Sequence, residues 1–92
     1  MMGYYDVIPK RIMEALERYE QGGVLPGHFL QAVLSNDLYR ALCRADDDSY
    51  AALKEIFGYV YNQMPGNCWG NKDKVNAWVL AKQAERGAKQ DD

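Results

Sequence analysis

The chain carries one histidine and two cysteines in 92 residues, and Cys43 and Cys68 stand 25 positions apart. So few ligands cannot assemble a zinc set, and without a CxxC pair there is no dithiol redox centre. An excess of basic charge is missing too: 11 basic against 13 acidic residues leave a net charge of -2. That balance argues against long nucleic acids as partners, because their binding needs a broad basic face. No apolar run approaches the roughly 20 residues of a membrane span. The first residues, Met1-Met2-Gly3-Tyr4-Tyr5-Asp6, have neither the basic stretch nor the apolar run of a secretory signal. The expectation is a cytoplasmic protein with no membrane partner and with both thiols reduced. Strand alternation and internal repeats are also absent. No Ser/His/Asp or Cys/His arrangement, GxxxxGK or HExxH is found, so no catalytic residues, metal ligands or cofactors are expected. A binding or interaction protein is the better class.

Hydrophobic residues make up 48% of the chain and there are only three prolines, a globular composition. The length allows one small domain, placed at 8–80 between an N-terminal extension at 1–7 and a frayed or disordered C-terminal tail at 81–92. The apolar positions Ile8, Ile12, Leu16 and Tyr19 repeat at helical spacing. Asp6 can cap this helix, Pro9 suits its first turn and the Gly22-Gly23 pair ends it. After Pro26-Gly27, the stripe Phe29, Leu30, Val33 and Leu34 runs into Ser35-Asn36-Asp37, residues that favour caps over helix interiors. A further piece puts Leu38, Ala41 and Leu42 on one face with Arg40 and Arg44 outward. Residues 27 to 45 can be one kinked helix or two short ones.

The Asp46-Asp47-Asp48 run precedes the strongest stripe, Leu53, Ile56, Phe57, Val60 and Met64, about five turns of helix. Consecutive acidic residues diverge around a helix start, so they read as a cap and not as a metal or general-base cluster. Pro65-Gly66-Asn67 stops this helix, and Asn71 can cap a last one carrying Val75, Trp78 and Val79. The fold class is therefore all-α, with four to five helices. The expected core centres are Leu16, Leu30, Leu34, Leu53, Phe57, Val60 and Trp78. Seven tyrosines and two tryptophans exceed what these stripes can bury, and such side chains are enriched in interfaces and base-stacking sites. A homo-oligomer would enlarge the buried core of so short a chain.

Three strings, IPKRIMEALERYEQGG, LPGHFLQAVLSNDLYRALCRAD and YVYNQMPGNCWGNKDKVNAWV, together resemble a family of small phage proteins, the anti-CBASS cyclic-nucleotide sponges. The likeness spans about residues 8 to 79. Its most specific parts are PxGxFLxAVLxNDL at 26 to 38, Arg44-Ala45-Asp46, and the Cys68-Trp69-Gly70 loop with Lys74-Val75 and Trp78. The resemblance implies an immune-evasion protein of the infected bacterial cell. It would sequester cyclic dinucleotides and cyclic trinucleotides without cleaving them, and so block CBASS signalling. It also implies a helical homohexamer, with the dinucleotides held between paired protomers and the trinucleotides where three protomers meet.

A cyclic dinucleotide presents two purine faces and two phosphates, so its site needs planar side chains for stacking and cations or amides for the phosphates. Tyr19 at the end of the first helix close to the Gly22-Gly23 turn, the His28-Phe29 helix start, and the cations Arg11, Arg40 and Arg44 are candidates. Asn36 could read a base edge, and Trp69 could either stack on a base or plug the end of the core. A lone histidine such as His28, with no nucleophile beside it, reads otherwise as a surface residue. Two competing functions are a small phage protein that inhibits a host protein, which fits exposed aromatics equally well, and a helix-turn-helix regulator. The latter is disfavoured because no helix carries a basic recognition face.

Overall fold

The computed structural model describes residues 3–90, with side chains through residue 86. Among the described residues there are helices and no strand. A short 3-10 helix, Tyr4–Val7, precedes α1 (Lys10–Gly22), α2 (His28–Leu34), α3 (Leu38–Arg44), α4 (Asp47–Ala51), α5 (Leu53–Gln63) and α6 (Lys72–Gln90). Six α-helices replace the expected four to five. The kinked segment is two helices because α2 ends in a left-handed turn. Asn36, at φ 61, sends its N–H to the Val33 carbonyl, and Asp37 N–H reaches back to Ala32 at 2.8 Å, a paired C-terminal closure for which Asn is a good non-glycine residue. Asp37 then caps α3 by accepting from the Arg40 amide. The helix expected after the Asp46-Asp47-Asp48 run is also divided, at Ala52, into α4 and α5, which leaves the stripe from Leu53 on α5. Alanine favours helix, so nothing in the sequence marks that break.

Caps otherwise follow residue chemistry. Asp46 accepts from the Ser49 amide at 2.9 Å, and Asn71 accepts from the Lys74 amide at 2.9 Å. Asp6 does not cap α1: its carboxylate accepts from the Gly3 amide, and Pro9 occupies the N-cap position. The residue before a proline is held extended, which separates the 3-10 turn from α1. Gly23 closes α1 at φ 67. A Cβ there would lie 2.5 Å from Lys82 Cβ, so glycine serves both the turn and the close approach of α6. That helix runs on through the expected tail to Gln90, and residues 91–92 lie outside the described residues.

Helix α1 packs on α6, α2 on both α3 and α6, and the 3-10 helix on α5. The core is built on Leu16, Tyr19, Val33, Leu34, Ile56, Val60 and Cys68, all fully buried. Leu30 joins them, whereas Leu53, Phe57 and Trp78 are only half-buried at its margin. Phe57 shares its face of α5 with solvent and with Tyr61, whose ring meets it edge-on at 6.3 Å. On α3 only Ala41 is buried, while Leu38 is 54% exposed and Leu42 42% exposed, because this short helix packs mainly on α2.

Two measurements check this packing. Ile56→Ala should cost about 2–5 kcal/mol in a urea titration followed by circular dichroism, and Phe57→Ala should cost less. A larger loss at Phe57 would mean that α5 is rotated about its axis. Burial first, and the nearby Glu20 charge second, push the Cys68 thiol up to about 11, whereas Cys43 is exposed. At pH 8 a thiol reagent should therefore label one site per native chain quickly and the second only on unfolding.

Candidate functional site

Beside α2 and α3 lies an open groove of about 520 Å³, whose far wall is the start of α6. Its position follows from backbone connections. The Gly70 N–H donates to the Leu34 carbonyl at 2.7 Å, which fastens the loop before α6 to the C-terminus of α2. Lys72, Val75 and Asn76 are thereby brought opposite His28, Gln31, Ser35, Asp37, Arg40 and Arg44. Three permanent cations (Arg40, Arg44, Lys72) against one carboxylate (Asp37) give the lining a formal charge of +2. The sign is opposite to that of the whole chain. Asp37 is already committed, since it caps α3 through Oδ1 and meets Arg40 Nε through Oδ2 at 3.4 Å. Among the described residues, Arg44 and Lys72 have no ion-pair partner. The α6 N-terminus adds partial positive charge at that wall. Such a lining can hold an anionic oxygen group with Arg and Lys donors, and the Gln31, Ser35 and Asn76 side chains add neutral polar contacts.

Of the eight residues singled out from sequence, His28, Arg40 and Arg44 converge in this groove. Arg11 does not: its guanidinium meets Asp46 at 2.5 Å and Asp48 at 3.8 Å, across the gap between α1 and α4. Phe29 is half-buried against the core. Tyr19 lies in the core instead. It is fully buried, and its hydroxyl donates to the Cys68 carbonyl at 2.6 Å; a ring enclosed on all sides offers no stacking face. Lys72 and Asn76 were missed because they lie on the opposite wall, about 30 residues away along the chain, and tertiary contacts such as Gly70–Leu34 bring them in. The helix-start signal at Asn71 could have pointed to Lys72.

Asn36 and Trp69 come together elsewhere, in an aromatic group on the rim. The Tyr61 and Trp69 rings stack with centroids 4.3 Å apart and planes 17° from parallel. Trp69 Nε1 donates to the Met64 carbonyl at 3.3 Å, and the Tyr61 hydroxyl donates to Asn36 Oδ1.

The groove's charge is testable with inorganic pyrophosphate. Asp37→Asn preserves the cap of α3 and removes the groove's carboxylate, so it should tighten pyrophosphate binding in calorimetry by up to about 5-fold, while Arg44→Gln should weaken it by a similar factor. Equal affinity in both variants would show that the groove is not where anions bind.

No protein-family model, curated protein or solved structure matches this chain.

Proposed function

We propose that the protein binds cyclic di- and trinucleotides and holds them intact, acting as a homo-oligomeric sponge for these signals in a phage-infected bacterial cell. The observation that carries this reading is the cationic groove of an otherwise acidic chain, with His28, Arg40, Arg44 and Lys72 around one opening. Phosphodiester oxygens are anions that such a lining suits, and guanidinium planes serve both phosphate and base. Sequestration is favoured over cleavage because, among the described residues, no hydrogen bond joins His28 to the Ser35 hydroxyl that shares the groove, and Asp37 is engaged at both oxygens by Arg40. A general base needs a lone pair and a nucleophile within reach.

Assembly is supported by the uncovered side of α3, where Leu38 is 54% exposed and Leu42, one turn on, 42% exposed. Apolar side chains that line one helix face unburied mark interaction surfaces. The same face supports a second reading, an inhibitor that docks on a host protein.

Native mass spectrometry with and without 3′,3′-cyclic GMP-AMP separates these readings. The sponge should run heavier than a dimer and carry nucleotide, and the ligand released by heating should co-elute with the intact standard. Recovery of linear nucleotide would make the protein an enzyme. A monomer of 10.5 kDa that binds no cyclic nucleotide at micromolar concentration would overturn the sponge reading and favour the inhibitor.

A further inference from the structure

The stack of Tyr61 on Trp69 is tied to the groove walls through the chain. Asn36, which receives the Tyr61 hydroxyl, lies in the chain between Ser35 and Asp37, both of which line the groove. Trp69 precedes Gly70, whose amide is bonded to Leu34, and Lys72 two residues further on lines the opposite wall. The turn that carries Asn36 and the loop that carries Trp69 therefore lead directly into α3 and α6, the helices that carry the cations.

Each member of the pair is held in place. Trp69 is half-buried and anchored through its indole N–H, and Tyr61 meets the Phe57 ring edge-on. The turn conformation of Asn36, at φ 61, presents its side chain to the Tyr61 hydroxyl, and accepting that hydroxyl at Oδ1 leaves the amide NH₂ as a donor. Trp69 covers one face of Tyr61, yet 44% of the residue remains exposed. A rigid aromatic plane with an unspent amide donor at its edge is what stacking and edge recognition of a nucleobase require.

We propose that Tyr61, backed by Trp69, is a stacking platform for one nucleobase of the bound nucleotide, with the Asn36 amide reading that base's edge and the groove cations holding its phosphate. This rests on the nucleotide-binding reading above and adds which residues recognise the base. Tyr61 and Asn36 would touch ligand directly, while Trp69 is a positioning residue.

Titration with 3′,3′-cyclic GMP-AMP at low and high salt tests the assignment. Stacking on an aromatic ring is worth roughly 5- to 150-fold in affinity and is little screened, whereas contacts to exposed cations weaken with salt. Tyr61→Leu should therefore bind more weakly by the same factor at both salt concentrations. Wild-type tryptophan emission should change on saturation, and the change should vanish in Trp69→Phe. Asn36→Gly, whose backbone conformation suits glycine, should fold as wild type and bind more weakly, so it decides the matter if Tyr61→Leu loses its helical spectrum. Wild-type affinity in a folded Tyr61→Leu or in Asn36→Gly, or a deficit that disappears at high salt, would overturn the platform and leave nucleotide binding standing. No binding by the wild type at micromolar protein would overturn the nucleotide reading itself, and the platform with it.

Discussion

Tyr19 is the residue on which the arrangement depends, and it acts at both ends. Its hydroxyl, inside the core, must find a partner, since a buried hydroxyl left unpaired costs about 1–3 kcal/mol; the Cys68 carbonyl supplies one at 2.6 Å. Its own carbonyl accepts the Gly23 amide, closing α1, and also Trp78 Nε1 at 3.0 Å. One side chain and one peptide group thus tie α1 to the loop before α6 and to α6 itself. Burial raises the phenol pKa, so the hydroxyl remains a donor throughout the physiological range. The loop so fixed reaches α2 through Gly70 and stands Trp69 against Tyr61. Both the groove and the stack are consequences of where that loop is anchored.

Charge is distributed by a similar process of commitment. Arg11 is taken up by Asp46 and Asp48, and Lys82 lies 3.6 Å from Glu85 and over the Trp78 ring. What is left near α2 and α3 is a cluster of cations with a single carboxylate, itself engaged. At physiological ionic strength interactions between exposed charges are largely lost beyond about 8 Å. A ligand in the groove therefore responds to Arg40, Arg44 and Lys72 more than to the net charge of -2.

The uncovered side of α3 gives these observations a common frame. Leu38 and Leu42 are one turn apart and both are exposed, while Arg40 and Arg44, also one turn apart, line the groove on the same helix. The two pairs lie on roughly opposite sides of α3, so a molecule covering the leucines would leave the groove open. Under the sponge reading this is a natural place for a second copy, and under the inhibitor reading for a host protein.

Periodicity and capping chemistry, which are local, made much of the fold legible in the sequence. The helical class, the stops at Gly22-Gly23 and Pro65-Gly66, the caps at Asp46 and Asn71, and the core positions Leu16, Leu30, Leu34 and Val60 all follow from spacings of three and four and from side chains that bond to nearby amides. The break at Ala52, the half-burial of Phe57 and the exposure of Leu38 and Leu42 do not, because a stripe says which residues share a face and not how much of that face a neighbouring helix covers. Of the site, the α2 and α3 side was readable as His28, Arg40 and Arg44. Lys72, Asn76 and the pairing of Tyr61 with Trp69 were decided by tertiary structure alone, since contacts made through Gly70 with Leu34 and through Tyr19 with Cys68 join segments distant in the chain and leave no periodic signal. The same tertiary decision put Tyr19 in the core, where its polar tip, suggestive of a binding residue in the sequence, holds the fold together.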